Sequence, residues 1–99
     1  MARSKPAYRR RAGSIAALDV TNPFRAGGLV HFALRQSADV RLDLFDVVGR
    51  RVRTLLDGVP RLAGDHELRM STIGLSAGCY FVRLTTGDEA RARTVTLLP

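Results

Sequence analysis

Val40-Arg-Leu-Asp-Leu-Phe-Asp46 is followed by Val47-Val48-Gly49 and then by Arg50-Arg-Val-Arg-Thr-Leu-Leu56. Its flanks alternate with the two-residue period of half-buried strands. Val40, Leu42 and Leu44 fall on one face, and Arg41 and Asp43 on the other. Asp46 suits the first position of a type I turn, and Gly49 suits the left-handed position that closes it. The segment therefore predicts a hairpin with a three-residue connection. Simple alternation then sets Leu44 against Val52, Leu42 against Thr54 and Val40 against Leu56. On the wet face it sets Asp43 against Arg53 and Phe45 against Arg51.

Outward from this hairpin the pattern repeats. Ile15 to Val20 reads as a short strand. Thr21-Asn-Pro-Phe-Arg-Ala-Gly-Gly28 reads as a loop in which Phe24 plugs the open end of a core. Leu29 to Leu34 is a second strand, with Val30, Phe32 and Leu34 on one face. Asp57 to Gly64 reads as a longer connection that crosses between sheets. Strands follow at His66–Met70, Cys79–Thr86 and Glu89–Leu98, the last two joined by a Gly87-Asp88 turn. Arg91 and Arg93 share parity with Val95 and Leu97, so the first half of the last strand is expected at an edge, where arginine discourages strand addition. Turn signals recur about every 8–12 residues and no helical period persists. The predicted fold is all-β: an immunoglobulin-like antiparallel β-sandwich of about seven strands.

The chain has 99 residues, which allows one domain. Its formal net charge is +7. Arg3, Lys5, Arg9, Arg10 and Arg11 concentrate that charge in residues 1–14, which contain no acid. Residues 1–14 read as a basic disordered tail or linker, and residues 15–99 as the folded domain. A basic tail alone, with only Tyr8 for stacking, does not make nucleic acid the expected partner. No apolar run is long enough to span a membrane. Ile15 to Leu18 is too short for the apolar core of a signal peptide, so no signal peptide is expected within this chain.

Candidate chemistry is sparse. Gly74-Leu-Ser-Ala-Gly78 spells the G-x-S-x-G nucleophile elbow, which lifts a serine on a strained strand-to-helix turn. Here it leads into a predicted strand, and His31 and His66 both precede Ser76. Two separated histidines and the single Cys79 give no zinc pattern, and Asp39, Asp43 and Asp46 lack a calcium-loop spacing. Pairing with Arg50 and Arg53 is the expected use of Asp46 and Asp43. No catalytic, metal or cofactor site is expected, no small-molecule substrate, and no enzymatic activity.

Three motifs occur in series: Asn22-Pro23-Phe24 before a strand, Val40 to Val52 with its Asp46-x-x-Gly49-Arg50 turn, and Leu75-Ser-Ala-Gly-Cys-Tyr-Phe-Val-Arg-Leu84 with Gly78 and Tyr80. Ala63-Gly-Asp-His66 is a fainter fourth. Together they resemble the type IX secretion C-terminal sorting domain and its relative, the immunoglobulin-like module of the flagellar hook-capping protein. The resemblance implies a non-catalytic module of a larger parent protein, found outside the cell or on its surface and read by outer-membrane secretion machinery. The alternative it leaves is a protein-interaction module, as in the hook-capping protein or appended to a secreted enzyme. Carried over, Gly49, Arg50, Gly78 and Tyr80 fall on the family's recurrent positions. The family commonly ends on a basic residue, whereas this sequence closes on Leu97-Leu98-Pro99.

Overall fold

The computed structural model describes residues 13–25, 27–87 and 89–99. Most of the basic segment, residues 1–12 with Arg9, Arg10 and Arg11, lies outside them, as does Asp88 of the Gly87-Asp88 turn. Seven strands run through the described residues: β1 (Ile15–Val20), β2 (Gly28–Leu34), β3 (Ala38–Asp46), β4 (Arg51–Arg61), β5 (Gly64–Met70), β6 (Gly78–Thr85) and β7 (Ala90–Leu97). They form two antiparallel sheets, β1-β2-β5 and β4-β3-β6-β7. This is an immunoglobulin-like β-sandwich in which the fourth strand joins the sheet of β3, β6 and β7.

β3 has a hydrogen-bonded neighbour on each side. Its inward residues Val40, Leu42 and Leu44 are fully buried. Val82 and Leu84 of β6 and Val95 of β7 extend that inner face, and Val30, Phe32 and Leu34 of β2 meet it from the opposite sheet. β1 contributes both Ile15 and Leu18, three residues apart, because a register shift between Ile15 and Ala17 turns both inward. Phe24 closes one end of the core, as its apolar character in a polar loop predicts.

The central hairpin keeps its predicted turn and departs from its predicted register. Phe45 does face Arg51, but Leu44 faces Arg53, Leu42 faces Leu56, Asp43 faces Thr54 and Val40 faces Val59. Three register shifts leave Val52, Leu55 and Gly58 without an opposite residue on β3. Each such bulge adds a residue to β4 and turns the strand, so simple alternation fails. Leu55 and Leu56, adjacent in sequence, both pack against the core as a result. Arg53, opposite buried Leu44, swings aside and donates Nη2–H to the Ile73 carbonyl.

Bulging also explains why β4 runs on to Arg61 where a long connection was expected. Gly58 takes a left-handed φ of 67° at one bulge, and Pro60 is tolerated because β4 is an edge strand. The crossing to the other sheet is made by Leu62 and Ala63 alone.

One other expectation needs correction. Asp43 does not pair with Arg53 on a wet face: its residue exposure is only 3%, and it faces Thr54 on β4 and Arg83 on β6. Its Oδ2 accepts from Arg41 Nε at 2.8 Å, and Oδ1 is buried with no hydrogen-bond partner. Ser14 is buried and its carbonyl accepts the Arg35 N–H at 2.8 Å.

At β7 the arginines are placed as an edge requires. Arg91 Nη1 donates to Ala16 O at 3.3 Å, and Arg93 Nε to Leu18 O at 2.9 Å. Both cover carbonyls of β1, the edge strand of the facing sheet.

Leu44→Ala is expected to lower the unfolding free energy by about 2–5 kcal/mol, read by urea denaturation, because it opens a cavity at the centre of the inner face. A loss below about 0.5 kcal/mol, the scale of a surface change, would contradict the burial of β3.

Candidate functional site at one pole of the sandwich

The structure gathers the three sequence motifs at one end of the molecule. In the four-stranded sheet Asp46 lies beside Tyr80, and Tyr80 beside Val95. Two positions on, Gly78 lies beside Leu97, and Leu97 forms a parallel bridge with Phe24. Asn22, Pro23, Phe24, Asp46, Gly49, Arg50, Gly78 and Tyr80 thus share a single pole.

Asn22-Pro23-Phe24 forms a clip on the end of β7. The Asn22–Pro23 peptide bond is cis. Asn22 Oδ1 accepts the Thr96 N–H at 2.9 Å. Phe24 N–H donates to Thr96 O at 3.0 Å, and Leu98 N–H donates to Phe24 O at 2.8 Å. The ring of Phe24 presses against Gly28, where an added Cβ would lie 3.1 Å from Cδ2, so a side chain here would push the ring by a few tenths of an ångström.

The second motif is a turn held by one carboxylate. Gly49 N–H donates to Asp46 O at 3.0 Å and Asp46 N–H to Arg50 O at 2.9 Å, with Gly49 at a left-handed φ of 88°. Asp46 Oδ1 accepts the N–H groups of Val48 (3.0 Å) and Arg50 (2.9 Å), while Oδ2 accepts Arg50 Nε at 2.9 Å. The Arg50 backbone N–H is the main reason the Asp46 carboxyl is held below its ordinary pKa; the Arg50 guanidinium and the Val48 N–H add to it. These bonds fix the turn and lift Val47 and Val48 into solvent, at 65% and 70% exposure.

The third motif is a tyrosine corner. Tyr80 is buried, and its hydroxyl donates to the Ser76 carbonyl at 2.5 Å, four residues upstream. A tyrosine near the start of this strand, bonded back to the preceding loop, is a hallmark of the immunoglobulin fold. Sequence reading placed Tyr80 in the core but missed this bond, although a tyrosine two residues after Gly78 at a strand start is the signal for it.

Between the second and third motifs lies a cleft of about 290 Å³, lined by Asp46, Val47, Val48, Arg50 and residues Ser76 to Tyr80. Ser76 is exposed at its rim, and neither histidine lines it. His31 lies on β2 between Asp19 (3.9 Å) and Asp65 (3.1 Å). His66 stacks on Phe32, with centroids 5.1 Å apart, and donates Nε2–H to Leu62 O at 2.7 Å. Gly74-Leu-Ser-Ala-Gly78 leads into strand β6 rather than the helix that an elbow requires. Cys79 is an exposed free thiol. Among the described residues no group of three His, Cys, Asp or Glu side chains is placed to hold a metal ion, and no helix is long and apolar enough to cross a membrane.

Neither family models nor curated proteins give a match to this chain.

Tyr80→Phe is expected to cost about 0.5–1.5 kcal/mol in urea unfolding with the far-UV spectrum unchanged, since it deletes one hydrogen bond and keeps the ring. No measurable loss would contradict the corner.

The Asp46 carboxyl gives a signed pH dependence. A depressed folded-state pKa stabilises the fold above the unfolded value of 3.8, and this contribution is lost as pH falls through the lower folded value. Asp46→Asn is expected to make Tm less sensitive to pH between about 5 and 2 than in the parent chain. Parallel Tm–pH curves for the two proteins would contradict the assignment.

Proposed function

We propose that this chain is a non-catalytic immunoglobulin-like module that directs a larger exported protein through a type IX secretion apparatus to the cell surface. The observation that carries the reading is the convergence of its three motifs on one pole. A recognition signal scattered through sequence is readable by a partner only if folding brings it to one surface. Here the Asp46–Arg50 turn and the Gly78–Tyr80 corner flank one cleft, and the Asn22-Pro23-Phe24 clip holds the end of β7 at the same pole. Most of these residues have structural work: Phe24 and Tyr80 are buried, and Asp46 holds the turn. They build the surface; the exposed Val47–Val48 pair is what a partner meets. Contiguous apolar side chains raised on a rigid turn suit protein recognition, because little conformational freedom is lost on docking. That same pair favours the second reading, an interaction module of the hook-capping or enzyme-appended type, with a different partner at the same pole.

The test fuses the full chain behind a periplasmic reporter carrying its own signal peptide, in a host with the type IX apparatus. Surface-exposed reporter is expected for the parent chain. A Val47→Asp/Val48→Asp variant, checked for an unchanged melting curve, is expected to deliver about tenfold less, the effect of removing a central apolar anchor. Reporter retained in the periplasm with the parent chain would overturn the sorting reading. Equal delivery by both chains would remove the pole as the recognised surface.

A further inference from the structure

The two sheets present four edge strands: β1, β5, β4 and β7. Three of them are blocked. β1 has its carbonyls capped by Arg91 and Arg93. The end of β7 is occupied by Phe24. β4 is broken by three bulges and carries Pro60. β5 is different. It pairs with β2 over seven consecutive residues without a shift and contains no proline. An open, regular edge is a template for a further strand, and folds normally blunt it.

We propose that the β5 edge is a homodimer interface, in which β5 of a second copy adds antiparallel across a twofold axis to make a continuous six-stranded sheet. The sequence of the edge is complementary to itself. Full antiparallel overlap of Gly64–Met70 puts Glu67 on the axis, Asp65 against Arg69 of the second copy and Arg69 against its Asp65. Asp65 and Arg69 are both exposed and share one parity, so the two opposite-charge pairs form on the same face. On the inner face His66 meets Leu68, and both are only half-buried in the single chain. The like-charged Glu67 pair on the axis opposes the association and is outnumbered.

The strand ends supply a second, independent observation. Leu62 and Ile73, at 75% and 83%, are the most exposed large hydrophobic residues described, and they flank β5 on its two sides. Antiparallel overlap brings the Leu62 end of each copy to the Ile73 end of the other. A cleft of about 330 Å³ lined by Met70 and Ile73 lies at one end, and one of about 420 Å³ lined by Pro60 and Leu62 at the other. Both exposed side chains are covered twice by a single twofold contact, as an isologous interface requires. An unrelated extended peptide would satisfy the backbone edge, but nothing would match its charges to Asp65, Glu67 and Arg69 in order.

Sedimentation equilibrium over a concentration series up to about 1 mM tests the proposal on the full chain. The parent chain is expected to show a monomer–dimer equilibrium. Asp65→Arg and Arg69→Asp should each weaken the dimer by about tenfold or more, by setting like charges opposite one another. The Asp65→Arg/Arg69→Asp double variant should recover it, and Glu67→Gln should tighten it. Concentration-dependent amide shifts of the unaltered chain, which need no variant to fold, are expected to concentrate in residues 62–73. A monomer throughout the series, a dimer indifferent to the charge swaps, or shifts centred elsewhere would each overturn the proposal.

Discussion

Burial of the inner face of β3 is the constraint from which the rest of the structure follows. Val40, Leu42 and Leu44 are removed from water completely. A strand this apolar on one side needs a strand on each flank and a second sheet above it. β4 and β6 satisfy its backbone, and the sheet of β1, β2 and β5 covers its side chains. Both sites of interest are consequences. The pole exists because β3, β6 and β7 end together, and the open edge exists because β5 ends the smaller sheet.

Much of this was legible in residue order. Alternation in β2, β3 and β6 marked the core directly, because each of these is an inner strand with an unbroken period of two. The turn was legible for a different reason: Asp46 and Gly49 carry backbone geometry in their own chemistry, one by accepting N–H groups and the other by tolerating positive φ. β4 was read less well. Its Thr54-Leu55-Leu56 cannot keep a period of two with both leucines against the core, and that conflict was the visible trace of a bulged edge. Asp43 was misread because parity gives the face of a sheet and says nothing about how deeply that face is covered.

The motif positions of the candidate site were named from sequence, yet their meeting and the exposure of Val47 and Val48 were not. Asn22 and Gly78 are far apart in the chain and come together only through the pairing of β7 with β6 and the bridge from Phe24 to Leu97. Long-range strand order is a property of the packed whole, so no local pattern announces it. The bond from Tyr80 to the Ser76 carbonyl also gives Gly74-Leu-Ser-Ala-Gly78 a structural role: the segment is a corner between sheets, and its carbonyl anchors the strand that follows.

Cross-strand nuclear Overhauser contacts from Leu42 probe the buried face of β3 at its middle, where the neighbours depend on the bulged register. Contacts to Leu56 on β4 and to Leu84 on β6 are expected. Contacts from Leu42 to Thr54, with Leu55 turned to solvent, would restore simple alternation and contradict the bulged register.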